Sequence, residues 1–499
     1  MERMILMNYC STRDRQVGRT AAQAILQGLS AEGGLFVPEE FPALPPLDEL
    51  SRLSYTERAL HVLGPFLMDF PADQLRACVR DAYAPERFGG LDNPAPLAPL
   101  SGERWLLELW HGPTCAFKDM ALQLLPRLMT AAAGIAGDGR EIVILTATSG
   151  DTGKAALEGF RDVPGVRLLV FYPRDGVSPM QKRQMVTQEG GNLSVCAIDG
   201  NFDHAQSAVK SIFSDPALAA RLGQAGMRFS SANSINWGRL APQIVYYVSA
   251  YCDLLAQGRI RPGQAVNVCV PTGNFGNLLA AFYAKKTGLP IGRLICASNR
   301  NRVLTDFLRT GVYDRNRDFF TTLSPSMDIL ISSNLERLLW DLSGGEPVKD
   351  WYRQLAAEGR FQADDSVRAR LAAEFYGGFC SDEDTCAAIR DTFREEGYLC
   401  DPHTAVALKV CRDYREETGD AAPVVIASTA SPHKFVNSVL SALGQPLPAD
   451  EYDGLRVLEA LSGQAAPAPL KALEGKPVRF DSAIPREGIR DQVLRALGL

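Results

Sequence analysis

The chain has 499 residues, with 52 Lys and Arg against 58 Asp and Glu, for a formal net charge of −6. Apolar residues make up 46% and charged residues 22%, which excludes a dominantly disordered chain and suggests about three folding units at roughly 150 residues each. The mild acidity argues against nucleic acid or an anionic membrane as the main partner.

The N-terminal stretch MERMILMNYCSTRDR has only a short apolar patch followed by charge, too short for a secretory signal; Met4 and Met7 are alternative starts. No run of about twenty apolar residues occurs, so no membrane span is expected. RTAAQAILQGL and the stretches near 55–68 and 72–82 predict helices, so residues 1–96 read as a mainly helical N-terminal domain. The proline-rich NPAPLAPL (93–100) cannot continue a helix and marks a junction.

After the junction come short apolar runs: RWLLELW (104–110), EIVILTA (141–147), VRLLVFY (166–172), LSVCAI (193–198), AVNVCV (265–270), GRLICAS (292–298) and PVVIAS (423–428). Strands that are apolar almost throughout are buried on both faces, which implies parallel sheets covered by helices. Residues 97–445 therefore read as an α/β region, mostly helical between 300 and 420. AAPAPL (465–470) is a loose connection within a C-terminal extension, 446–499. Eleven cysteines without a CxxC pair, several inside strand-like runs, read as reduced thiols of a cytoplasmic protein. Five scattered histidines, with no HxxxH or HExxH, give no metal site.

In parallel α/β proteins ligands bind beyond the carboxyl ends of strands, at helix N-termini. Three loops stand out. In ELWHGPTCAFKDMALQLLPRL (108–128), a helix beginning near Phe117 places Lys118 on the same face as Ala121, Leu122 and Leu125. Such a lysine either reaches for the surface or is a partly desolvated amine suited to Schiff-base chemistry. In EIVILTATSGDTGKAAL (141–157), backbone N–H groups with the hydroxyls of Ser149 and Thr152 hold an anion, or simply cap a strand-to-helix turn. In AVNVCVPTGNFGNLLAAFYAKK (265–286), Gly273, Asn274, Phe275, Gly276 and Asn277 form a phosphate cup or a structural turn, and match neither GxGxxG nor a P-loop.

A lysine, a phosphate cup and an anion-holding loop are the parts a pyridoxal phosphate enzyme needs. After PVVIAS, Ser428 and Thr429 offer hydroxyls for the pyridine nitrogen, unless Thr429 caps a helix starting near Pro432.

HGPTCAFKDMALQ, TATSGDTGKAAL, SSANSINWGRLAPQIVYY (230–247), PTGNFGN and STASPHKF (428–435) resemble the threonine synthase family, in the subgroup shared by many bacteria and fungi. YCSTRD (9–14), GLSAEGGLFVP (28–38), FYPRDGVSPMQKRQM (171–185) and SPSMDILISSNLERLL (324–339) extend the resemblance over about residues 7–440. It implies the fold of the β-family (fold type II) of pyridoxal 5'-phosphate enzymes: two parallel-sheet α/β subdomains plus a mainly helical N-terminal domain. The implied reaction converts O-phospho-L-homoserine and water to L-threonine and phosphate, with no obligate protein partner.

By motif, Lys118 is implied as the Schiff-base lysine, Gly273, Asn274, Phe275, Gly276 and Asn277 as the cofactor-phosphate loop, and Thr429 as the pyridine-nitrogen partner. Ser149, Asp151 and Thr152 are candidates around the substrate carboxylate and the cofactor's O3′. Asn233, Asn236 and Arg239 are further substrate candidates, Arg239 for the phosphate unless it pairs with a structural carboxylate. Cys115, beside the lysine motif, suggests sensitivity to thiol reagents; Lys154 reads as a surface helix lysine and His111 as a satisfied core residue. The rival outcomes are a phospholyase releasing ammonia and a 2-oxo acid on the same scaffold, and a non-catalytic cofactor or ligand sensor.

Overall fold

Runs of Val, Ile and Leu with no polar face fold as strands only where helices cover both sides, and the two main sheets of this chain satisfy that demand. The structure, a computed structural model, describes residues 7–174, 177–200, 202–213 and 215–499; Met1 and Met4 lie outside them. The larger sheet has the order Phe375–Phe379, Ile291–Ser298, Val266–Pro271, Val424–Ser428, Arg104–Glu108, Leu97–Leu100. Its strands are parallel except for Leu97–Leu100, which runs antiparallel at the edge. Half of the proline-rich junction is thus a strand, and its Pro99 sits on an edge, where a missing N–H costs least.

The smaller sheet is wholly parallel: Ala483–Pro485, Leu193–Asp199, Val166–Pro173, Glu141–Ala147, Met227–Ser230. All seven apolar runs are strands of these two sheets. Four members were not expected as strands from the sequence: Leu97–Leu100, Met227–Ser230, Phe375–Phe379 and Ala483–Pro485.

The N-terminal residues form helices Ala21–Gln27, Tyr55–Leu63 and Ala72–Ala82, the first two opened by capping boxes at Thr20 and Ser54. A two-stranded ribbon pairs Tyr9–Ser11 with Phe36–Pro38. These elements share one apolar core with the long helix Trp237–Ala256 and the inner faces of both sheets. Arg58 fixes the contact, donating to Ser249 Oγ at 2.9 Å and pairing with Asp253.

The C-terminal segment is built in rather than appended. Leu455, Leu458 and Leu470 join the core under the larger sheet. Strand Ala483–Pro485 extends the smaller sheet, whose outer face is covered in part by Ile489, Val493 and Leu497 of helix Ile489–Leu497. Among the described residues no helix is long and apolar enough to cross a membrane.

Candidate active site

The loops singled out in the sequence follow the carboxyl ends of Arg104–Glu108, Glu141–Ala147, Val266–Pro271 and Val424–Ser428, and open on one cavity of about 990 Å³. Lys118, Ser149, Thr152, Asn233 and Arg239 line it, as do all five residues of the 273–277 loop and Thr429. Asp151 and Asn236 do not.

Lys118 precedes a helix of only one turn, Asp119–Leu122, which breaks before Leu125–Ala136 because Pro126 cannot continue the first helix's bonding. The single long helix expected from Phe117 is therefore two. The turn ahead of the lysine is fixed by Asp119, which accepts from Thr114 N at 2.8 Å and Thr114 Oγ1 at 2.7 Å. Gly112 is required there, since a Cβ would lie 2.5 Å from that of Asp119. The lysine is buried, and burial pushes its amine down to about 8, with Arg239 and Lys434 acting in the same direction and Asp151 against them. Its burial removes the surface-seeking alternative.

Asp151 is held by Lys434 and Gln181, partners outside the cavity lining. Its carboxylate accepts from Lys434 Nζ at 2.6 Å, Gln181 Nε2 at 2.9 Å and Ser326 Oγ at 3.2 Å, with Lys118 Nζ 3.6 Å away. Those cations hold it ionised despite burial, and an ionised carboxylate repels a substrate carboxylate rather than binding it. In the same loop Thr148 Oγ1 accepts from Gly150 N and Gly153 N at 3.0 and 2.8 Å, and Ser149 and Thr152 line the cavity.

The 273–277 loop presents its amides. Its carbonyls are held from behind, Gly273 O by Ser332 Oγ at 2.9 Å and Asn274 O by Asn334 N at 3.1 Å. Phe275 adopts φ 63°, turning the chain into helix Gly276–Lys286, whose first N–H groups have no intrahelical partner. A Cβ on Gly273 would meet Ser326 O at 2.6 Å. Asn277 accepts from Tyr246 OH at 2.7 Å and from Tyr247 OH, while its buried Nδ2 has no partner. A buried donor without an acceptor, beside a helix N-terminus, fits an anion such as a phosphate.

Arg239 is buried, and among the described residues its guanidinium makes one hydrogen bond, from Nη1 to Ala232 O at 2.8 Å. Among the described residues no carboxylate pairs with it, so the structural-partner alternative fails. Burial without a counter-ion pushes it down to about 10.

Asn233 Oδ1 is likewise buried and unpartnered, whereas Asn236 is fully committed. Asn236 caps helix Trp237–Ala256 by accepting from Gly238 N at 2.9 Å, and donates to Ile25 O and Ser231 O, both at 2.9 Å. It has no free group for substrate, and its expected role there is withdrawn.

Ser428 is occupied by Trp110 Nε1 at 3.2 Å and Thr404 Oγ1 at 3.3 Å, leaving Thr429 as the hydroxyl residue at the cavity. Thr429 caps nothing: Ser431 caps the short turn Pro432–Lys434. Two other expectations fall. Cys115 is buried, with its thiol pushed up to about 12, so it is no ready target for thiol reagents. Lys154 is buried, bonded to Gln188 and Glu158, not a surface lysine. His111 is only half-buried, its Nε2 2.8 Å from Glu108.

The sequence reading missed His403, Ser326 and Lys434. His403 lines the cavity with Nδ1 2.7 Å from Asp401 Oδ1 and Nε2 accepting from Ser326 N at 3.2 Å, which assigns the proton to Nδ1. Lys434 lies within the quoted STASPHKF motif, but no pattern there separates a buried ion pair from an exposed basic residue.

An amine near neutrality, an amide cup at a helix N-terminus with an orphaned amide donor, and a hydroxyl residue across the cavity match the aldehyde, phosphate and ring nitrogen of pyridoxal phosphate.

Three family models match in order: "Threonine synthase N terminus" over residues 8–83, "Pyridoxal-phosphate dependent enzyme" over 92–430, and "Threonine synthase, C-terminal" over 404–491. Threonine synthase from Pseudomonas aeruginosa is 40% identical over 90% of this chain and 93% of its own. Human threonine synthase-like 1 is 43% identical over 85% of this chain, which spans only 58% of that protein's length. Among solved structures, the PLP-bound threonine synthase from Brucella melitensis superposes with a TM-score of 0.86 at 37% identity, covering 98% of this chain and 99% of that one. The yeast enzyme gives 0.86 at 32%, with 99% of both chains covered. With the cavity, its loops and these relatives in agreement along the chain, this protein belongs to the threonine synthase family of pyridoxal phosphate-dependent enzymes.

Proposed function

We propose that the protein converts O-phospho-L-homoserine and water to L-threonine and phosphate, with Lys118 as the cofactor lysine and proton carrier. The observation that carries this reading is the pairing, in one cavity, of a buried lysine held below the ordinary amine range with two separate places for a phosphate: the 273–277 amides, and Arg239 with no carboxylate beside it.

Bound pyridoxal phosphate supplies an electron sink that makes the substrate carbons beside the amine acidic. The 273–277 amides and Asn277 Nδ2 hold the cofactor's phosphate, and Thr429 its ring nitrogen. Arg239 and Asn233 hold the substrate's phosphate, the guanidinium offering its fork to two oxygens. Ser149 and Thr152 orient the substrate carboxylate by hydroxyl and amide donation. Lys118 Nζ, neutral in part near pH 8, takes the proton from the carbon bearing the amine, then from the next carbon, and returns protons as product forms. Asp151, held by Lys434, Gln181 and Ser326, places a carboxylate 3.6 Å from the Lys118 amine.

The domain reading is 1–96 for the N-terminal domain, 97–445 for the catalytic α/β region and 446–499 for the C-terminal extension. A cytoplasmic setting is supported by eleven free cysteines, ten of them buried.

The test is to supply purified protein and pyridoxal phosphate with O-phospho-L-homoserine and to quantify threonine, 2-oxobutyrate and phosphate. Threonine equal to phosphate is expected. Phosphate matched by 2-oxobutyrate identifies a phospholyase, and release of no phosphate removes this substrate from consideration.

A further inference from the structure

Two buried lysines share one buried carboxylate. Lys434, entirely shielded from solvent in the turn Pro432–Lys434, places Nζ 2.6 Å from Asp151 Oδ1. Lys118 Nζ stands 3.6 Å from Asp151 Oδ2, beyond hydrogen-bond length. A second buried cation beside a single carboxylate is uncompensated, so the division of Asp151 between the two amines decides which is driven neutral. The geometry gives the contact to Lys434.

We propose that Lys434 is a positioning residue for Lys118: by claiming Asp151 it leaves the Lys118 amine without a full salt bridge, free to react with the cofactor's aldehyde. This rests on the proposed reading of Lys118 as the cofactor lysine. In that reaction the neutral amine nitrogen forms a C=N bond to the aldehyde carbon, and the aldehyde oxygen leaves as water with the amine's two protons. An ammonium has no lone pair and does not begin it.

The other charged groups around the pair leave the assignment in place. Arg239, from helix Trp237–Ala256, adds positive charge and pushes the Lys118 amine further down. His403, from helix Pro402–Thr418, is engaged by Asp401 Oδ1 on one ring nitrogen and by Ser326 N on the other. Asp119, next to Lys118 in the chain, is spent on Thr114. Lys154, on Asp151's own helix, is bonded to Gln188 and Glu158.

Lys434→Gln keeps an N–H donor for Asp151 but removes the charge, so Lys118 becomes the only lysine facing an uncompensated carboxylate. The full-length protein, stripped of cofactor, is mixed with pyridoxal phosphate, and the rate of covalent attachment is followed by absorbance from about pH 6.5 to about pH 10. The midpoint of the rate profile should rise by at least about one pH unit in Lys434→Gln, an approximately tenfold slower reaction near pH 7, with little change at the alkaline end.

Asp151→Asn should move the midpoint down, and the double variant should bring it back towards that of the native protein. Lys434→Arg, which keeps the charge, should leave it in place and serves if Lys434→Gln does not fold. Unfolding curves and borohydride trapping with peptide mapping accompany each variant. An unmoved midpoint in folded Lys434→Gln, or a displaced one in Lys434→Arg, with the label on Lys118, overturns the proposal alone. A label on another lysine, Lys434 included, overturns the reading of Lys118 and the proposal with it.

Discussion

The backbone N–H of Phe117 donates to the carbonyl of Thr429 at 2.8 Å, tying the residue before the cavity lysine to the hydroxyl residue that faces it. The seam continues through a bridge between Ala116 and Ala430, and a bond from Ser431 N to Cys115 O at 3.1 Å. Segments more than three hundred residues apart in sequence are thereby joined through their backbones. The spacing of Lys118 and Thr429 is set by a short ladder of backbone bonds, which is stiffer than side-chain packing alone.

Arg239 carries a buried charge with no carboxylate beside it, a cost that binding of a phosphate removes. In protein loaded with pyridoxal phosphate, Arg239→Met should leave stability unchanged or higher. The KM for the phosphorylated substrate should rise about tenfold to a hundredfold, for a lost charged contact of about 1.5–3 kcal/mol. Inorganic phosphate at a hundred times its Kd should stabilise the native protein by about 2.7 kcal/mol and the variant far less. Equal stabilisation of both in thermal melts would place the substrate phosphate elsewhere.

Asn236 separates a structural from a functional reading most simply. Asn236→Ala removes a helix cap and strands two buried carbonyls, of Ile25 and Ser231, so unfolding in urea should show a loss of about 2–4 kcal/mol. The KM should stay within about twofold, well under the 1.4 kcal/mol that a tenfold change represents. A large rise in KM at undiminished stability would return Asn236 to the substrate site.

Of the eleven cysteines only Cys386 is half-exposed; burial pushes the Cys115 thiol up to about 12. Treatment of the native protein with iodoacetamide near pH 7.5, about one unit below an ordinary thiol, should label Cys386 first and preserve activity. Cys115 should react only once the chain unfolds. Inactivation that keeps pace with Cys115 labelling in mapped peptides would show that the site opens far enough to expose it.

The architecture was legible wherever a strand was apolar from end to end, as in EIVILTA, whose predicted limits are those of Glu141–Ala147. Phe375–Phe379 escaped because FYGGF carries two glycines, one of them packed closely on the helix Val303–Thr310 at Thr305, and glycine reads as a turn. Met227–Ser230 and Ala483–Pro485 are too short to show a period.

At the site, loops between a strand and a helix were readable because anion binding needs amides at that junction. Asn236 was misread because an asparagine ahead of a helix looks the same as a cap or as a ligand; only its partners separate the two. Lys434, Lys154 and Asp151 share a different obstacle. Burial of a charge is decided by what arrives from elsewhere in the chain, and Asp151 and Lys434 are 283 positions apart.

The strand Ala483–Pro485 closes one edge of the smaller sheet against Leu193–Asp199, and 287 positions separate Ser482 from its contact at Val195. At roughly 5–20 residues per second on the ribosome, roughly 15–60 s pass between synthesis of these two partners. Throughout that interval the apolar strand Leu193–Asp199 presents an open edge to other nascent chains. The last strand thus acts as a delayed lid on an aggregation-prone edge, so production of this protein should depend on chaperone supply more than its native stability suggests.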